Sequence, residues 1–170
     1  MIINNKSLTG SCFLFFALFF LTLGNSFAQR EDEAFNKGLD YSGKGLYPEA
    51  IIEFTKAIAV NNVNAAAYYN RGLAYHKSSK AAEANSDYTK AIELDPKNEE
   101  IYYNRGILQY GLGNLDRAVS DWSKGIEVNP SAAAIYQKRA FVYFQMLKYD
   151  KAWEDVRKVE ELGYKVENSF

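Results

Sequence analysis

Amino acids recur in this chain at a fixed interval of 34 residues, and no insertion or deletion disturbs the register. Gly38, Gly72, Gly106 and Ala140 form one column, and Ala50, Ala84, Ala118 and Ala152 a second. Phe54, Tyr88, Trp122 and Val156 form a third, and Ala57, Ala91, Gly125 and Val159 a fourth. Tyr41, Tyr75 and Tyr143 share another column, broken by Gln109, while Pro96 and Pro130 close the two middle blocks. A period of this length restricts the chain to an array of like repeats, each burying its apolar face against its neighbours.

Within a repeat the pattern is helical. Ile51, Phe54, Ala57 and Ile58 recur at intervals of three and four, which puts them on one helix face. Asp95-Pro96 and Asn129-Pro130 end helices, because the residue before proline is pushed out of helical geometry. Pro48 suits a first helical turn, where its missing N–H costs nothing. Helices are expected over 31–44, 48–60, 65–78, 81–94, 99–112, 115–128, 133–146 and 149–162. The small residues of the first two columns let two helix backbones approach closely, and the large third column is expected to fill the space between adjacent repeats.

Tyr68, Gly72, Tyr75, Ala84, Tyr88, Ala91 and Pro96, all within residues 65–98, resemble the tetratricopeptide repeat family in residue type and spacing. Residues 99–132 match with Gln109 and Gly125 as departures, and residues 31–64 lack the first aromatic (Ala34) and the closing proline (Asn62). Residues 133–166 carry Ala140, Val156, Val159 and Tyr164 in place of the consensus types. The resemblance implies an all-α, right-handed superhelical solenoid of four helix–turn–helix repeats: 31–64, 65–98, 99–132 and 133–166. The last is expected to cap the array, with Glu154, Asp155, Arg157, Lys158, Glu160 and Glu161 presenting a wet outer face.

The first 28 residues stand outside this pattern. Lys6 precedes a continuous apolar run from Cys12 to Leu23, followed by Ser26-Phe27-Ala28, the layout of a secretory signal cleaved after Ala28. A retained anchor is the competing reading, but about 12 apolar residues fall short of the roughly 20 that span a bilayer. A lipidated Cys12 fits poorly, because it opens the apolar run instead of closing it. Export to a bacterial periplasm or the exterior is expected. Cleavage would also remove the one cysteine, leaving no disulfide, thiol nucleophile or cysteine–metal site.

Catalytic signatures are absent from the sequence. His76 is the only histidine, and no nucleophile–base pair, phosphate-binding glycine loop or metal-ligand spacing accompanies it. The chain is therefore expected to be no enzyme and to need no metal or cofactor. A net charge of −1 gives no reason to expect nucleic acid as partner.

Charge also recurs. Lys37, Arg71, Arg105 and Arg139 share one column, and Glu53, Asp87, Asp121 and Asp155 lie 16 residues further on, so a ladder of ion pairs fixing helix register is expected. In the family resembled here, the first helix of each repeat lines a concave face that takes a peptide or partner segment. The inward positions map to Phe35, Asn36 and Leu39 in the first repeat, and to Tyr69, Asn70, Leu73 and His76 in the second. The third supplies Tyr103, Asn104, Ile107 and Tyr110, and the fourth Gln137, Lys138, Phe141 and Phe144. Tyr69, Tyr103, Tyr110, Phe141 and Phe144 could serve either groove or core. Tyr68, Tyr75, Tyr102, Tyr136 and Tyr143 are expected in the core. The carboxylate clamp of chaperone-binding members is poorly matched: its positions hold Phe35, Leu39, Asn70, Glu100 and Asn104, which keep asparagine and no cation. A backbone-gripping asparagine ladder fits better, through Asn36, Asn70 and Asn104, since an amide both donates and accepts. The expected function is a protein-interaction scaffold, with self-association or service as an accessory subunit as the alternatives.

Overall fold

A computed structural model describes residues 28–164, which form eight α-helices and no strand. They are α1 (28–43), α2 (Tyr47–Val60), α3 (Ala65–Lys77), α4 (Ala81–Leu94), α5 (Glu99–Gly111), α6 (Leu115–Val128), α7 (Ala133–Gln145) and α8 (Tyr149–Glu161). The signal-like residues 1–27 lie outside the described ones. The chain divides at Asn62/Val63 into two compact units, the first holding α1 and α2 and the second α3 to α8. Such sequential helix pairs are the construction of a helical-repeat solenoid.

The first helices stop one residue earlier than expected, and one recurring turn explains it. The amide of Leu46 donates to the Tyr41 carbonyl, Lys80 to Tyr75, Asn114 to Gln109 and Lys148 to Tyr143, each at 2.9 Å. This closure needs a left-handed residue just before it, supplied by Gly45, Ser79, Gly113 and Leu147 at φ of 74, 59, 77 and 59°. Glycine carries that geometry without strain, whereas a branched side chain costs about 1–2 kcal/mol. Leu147 is also 71 % exposed, so no packing offsets the strain. Leu147→Gly should accordingly raise stability by about 1 kcal/mol in urea denaturation; a loss would show that the leucine is held by something.

The glycine column works differently from expectation. A Cβ added at Gly38 would lie 2.6 Å from the Phe54 ring, and one at Gly106 would lie 2.7 Å from Cδ1 of Trp122. At Gly72 the same atom would meet the Tyr88 ring at 3.0 Å. Each glycine therefore seats the large residue of its own repeat, rather than bringing two backbones together. The fourth repeat obeys the same rule with smaller partners, since Ala140 goes with Val156 and both are buried. Gly125 departs from alanine for a local reason: the Ile135 side chain occupies the space its Cβ would take, at 2.8 Å. In the second unit the large residues nucleate two clusters. Tyr88 packs with Ala84, Ala91, Ile101 and Leu108; Trp122 packs with Ala118, Ile135 and Val142.

The ion-pair ladder forms in three repeats. Arg71 grips Asp87 through Nε (2.7 Å) and Nη2 (2.8 Å), and Arg105 and Arg139 grip Asp121 and Asp155 with the same two-pronged geometry. The three aspartates are buried. The remaining nitrogen reaches backwards to the preceding helix pair: Nη1 of Arg105 donates to Thr89 Oγ1 at 3.0 Å, and Nη1 of Arg139 to Ser123 Oγ at 2.9 Å. One guanidinium thus ties its own two helices together and latches them to the repeat before. Tyr68 and Tyr75 lie over Arg71, and Tyr136 and Tyr143 over Arg139, at 5.5–5.9 Å. Of these expected core tyrosines, Tyr102 and Tyr136 are buried, while Tyr68, Tyr75 and Tyr143 are half-buried.

The first repeat breaks the ladder. Lys37 pairs with Glu33 at 2.7 Å on its own helix, and Glu53 with Lys56 at 2.6 Å. An ammonium has no planar fork with which to span two helices bidentately, so it takes the carboxylate one turn away. Gln109, the odd member of the tyrosine column, is buried in a polar network of its own. Its Nε2 donates to Asn85 Oδ1 at 2.7 Å, and its Oε1 accepts from Asn114 Nδ2 at 2.9 Å. Of the charged residues expected on the outer face of α8, Asp155 is instead buried with Arg139, and Tyr149 and Trp153 join the others outside, with Trp153 58 % exposed.

Candidate functional site

The mapped groove residues of the second unit sit on the first helices α3, α5 and α7. None is fully buried. Tyr69 and Leu73 pack against the Tyr88 cluster, and Tyr103, Ile107 and Tyr110 against the Trp122 cluster, so these five are partly core. The fourth repeat differs. Phe141 and Phe144 are 36 % and 38 % exposed, and Gln137 and Lys138 are exposed beside them.

Several of these side chains meet across repeats. Asn104 Nδ2 donates to the Tyr69 hydroxyl at 2.8 Å, and Gln145 Nε2 donates to the Tyr110 hydroxyl at 3.1 Å. The Tyr110 ring stands edge-on to Phe141 with centroids 6.2 Å apart, and Phe144 stands edge-on to Tyr149 at 5.3 Å. Trp122 donates its indole N–H to the carbonyl of Tyr103, fixing the backbone from which Asn104 projects. Burial, and then the nearby Glu100 carboxylate, push the Tyr69 phenol up to about 12, so it stays protonated at neutral pH.

Two members of the asparagine column, Asn70 and Asn104, are used internally. Asn70 Nδ2 donates to Ala66 O at 2.8 Å, and Asn104 Nδ2 donates to Glu100 O at 2.9 Å as well as to Tyr69. With both of its N–H groups engaged, Asn104 can present a partner only with its carbonyl oxygen. His76 is half-buried, and burial followed by the Lys77 charge holds its imidazole below the usual range, hence neutral at pH 7. In the first unit Phe35 leans on Phe54 at 5.7 Å, while Asn36 and Leu39 are exposed on the same helix.

Sequence reading missed Gln145 and Tyr149. The signal for Gln145 was present: both inter-repeat bonds join a tyrosine to an amide 35 residues on, one period plus one. The whole arrangement is a surface of aromatic rings and amide acceptors. Among the described residues no group of three or more His, Cys, Asp or Glu could hold a metal, and no helix is long and apolar enough to cross a membrane.

Comparison with known proteins places this surface in context. A family model described as TPR repeat matches residues 38–79 and 80–113, and one described as Tetratricopeptide repeat matches 99–131. Together they span more than half of the chain. No curated protein matches it. Among solved structures, MamA is 25% identical with a TM-score of 0.76, covering 78% of this chain and 78% of its own. A tetratricopeptide repeat protein from Parabacteroides merdae is 28% identical with a TM-score of 0.75, covering 81% of this chain and 55% of its own. The first TPR of Spaghetti (RPAP3), solved with the HSP90 peptide SRMEEVD, is 27% identical with a TM-score of 0.67, covering 70% of this chain and 94% of its own.

Proposed function

We propose that this chain, which belongs to the tetratricopeptide repeat family, is an exported, non-enzymatic scaffold that holds a peptide or partner segment along the first helices of its repeats. One observation carries the reading. Phe141 and Phe144 remain more than a third exposed on α7, next to Tyr110 and Lys138, although the clusters beside them are closed. Clustered exposed aromatics mark binding surfaces, and aromatic side chains dominate binding energy where they enter a partner. The peptide bound by the RPAP3 domain supports the same mode here. The mapped surface of this chain leads with aromatic rings and carbonyl acceptors, and Lys138 is its single mapped cation.

Export rests on the sequence of residues 1–28 alone, with its apolar run and small residues before the expected cut. One experiment tests both halves. Benzoylphenylalanine placed at Phe141 of the full chain should crosslink a partner under illumination. The same photoprobe at exposed Lys90, on α4, should not. The adduct's N-terminus should be Gln29. Equal crosslinking from Lys90 would remove the groove reading, and an adduct retaining residues 1–28 would remove cleavage after Ala28.

A further inference from the structure

The α4–α5 and α6–α7 seams show what the outer face of a second helix normally receives in this chain. Four positions of the second helix line these seams: Asn85, Thr89 and Ser123 hydrogen-bond to the incoming first helix, and Ala81, Ile92, Leu115, Val119 and Ile126 pack against the clusters to which that helix contributes. The incoming helix answers with apolar residues such as Ile101 or Ile135, and with the arginine that latches onto Thr89 or Ser123. One period on, the same four positions of α8 are Tyr149, Trp153, Arg157 and Glu160, all exposed. The hydroxyl that accepts an arginine has become an arginine.

We infer that this α8 face is a docking seam for an amphipathic helix of a partner protein, one that is apolar opposite Tyr149 and Trp153 and places a carboxylate opposite Arg157. Three features favour that occupant. The seam is wide and aromatic, with Trp153 58 % exposed and Tyr149 47 %, where the interior seams carry Asn85, Val119, Ala81 or Leu115. Its charge is the inverse of the interior code, so an arginine in the latch position would meet Arg157 head-on. A second copy of this chain offering its own first helix would bring Lys37 there and be repelled. Glu160 completes the pattern. Ile135 at the start of α7 lies over Gly125 near the end of α6, so an incoming helix begins beside the end of α8. Glu160 therefore stands next to the partner's N-terminal turn, where a carboxylate is favourable. Strained Leu147, exposed beside Tyr149, adds apolar surface at the same end. This surface adjoins the first-helix groove at Tyr149, whose ring stands edge-on to Phe144, and extends away from it along α8 through Trp153, Arg157 and Glu160.

The test uses two stapled 13-residue helices with the sequence of α7, residues 133–145, one with arginine kept at the latch position and one with Arg139→Glu. Stapling is needed because a helix this short frays in water. The peptides contain no tryptophan, and of the chain's two, Trp122 is buried, so acrylamide quenching reports Trp153. In the free full-length chain Trp153 should be quenchable. The Glu peptide should protect it with at least tenfold higher affinity than the Arg peptide, and Arg157→Thr should reverse that ranking. A Trp153 already shielded in the free chain overturns the proposal. So does failure of the Glu peptide to protect it, an unchanged ranking with Arg157→Thr, or concentration-dependent self-association that buries Trp153.

Discussion

Gly106→Ala should destabilise the chain by about 2 kcal/mol, lowering its melting temperature by roughly 5 °C, although alanine is the better helix former. The two effects compete openly. Alanine in a helix interior gains about 0.8–1.0 kcal/mol over glycine. Against this, its methyl would sit 2.7–2.8 Å from carbons of the Trp122 ring, and overpacking costs about 1–3 kcal/mol. The indole cannot swing aside without losing its hydrogen bond to the Tyr103 carbonyl, about a further 1 kcal/mol. Gly72→Ala is the control. There the nearest ring atoms lie at 3.0 Å, so the clash is smaller and the helix gain should cancel most of it. The fourth repeat shows the cure, since Ala140 coexists with Val156. Trp122→Val alone should cost about 3 kcal/mol as a cavity, and Gly106→Ala with Trp122→Val should cost less than the sum by more than 1 kcal/mol. Calorimetry of the four variants against the parent chain settles it; additive effects, or a Gly106→Ala as mild as Gly72→Ala, would refute the seating rule.

Arg139→Ala should be the most damaging single charge change, at about 3–5 kcal/mol. Nearly all of this is the cost of stranding Asp155, which is 3 % exposed, with no counterion. The loss of the Ser123 latch and of stacking between Tyr136 and Tyr143 adds to it. Arg139→Lys should fall between, because an ammonium cannot hold both carboxylate oxygens and the Ser123 hydroxyl together. If desolvation is the cause, Arg139→Met combined with Asp155→Leu should recover most of the stability. Lys37→Ala, in the same sequence column, should leave the unfolding midpoint where it was, since its pair with Glu33 is solvent-exposed. Urea denaturation in which Arg139→Ala and Lys37→Ala behave alike would contradict the structure.

The fold was legible because its signals are local and repeated. Period, proline stops and helical spacing place every helix of the described residues to within a few residues. What escaped was pairing that depends on side-chain reach. The sequence showed that position 37 carries a cation, but not that lysine would turn to Glu33 while arginine crosses to the next helix. The glycine column was readable as a demand for space, yet the occupant proved to be the aromatic ring of the same repeat. Two columns were in plain view and unread: Thr55, Thr89, Ser123, Arg157, and Gly45, Ser79, Gly113, Leu147. Their last members are the informative ones, because a departure from the interior rule becomes visible only once the geometry says what the rule is for. Of the candidate site, the sequence placed the asparagines on first helices, where the structure has them. That Asn104 has both N–H groups engaged, and Asn70 one, follows from intrahelical carbonyls and a neighbouring tyrosine, which no residue count reveals.

The backward-reaching arginine also bears on how such a chain can grow over generations. A duplicated block 99–132, inserted after itself, would set a second Arg105 against Ser123 and find a hydroxyl waiting; its Gly106 would still face its own Trp122. A duplicated final block would set a second Arg139 against Arg157. Tandem duplication can thus lengthen this array from within at little cost, while extension after its last helix pair requires a new contact code first.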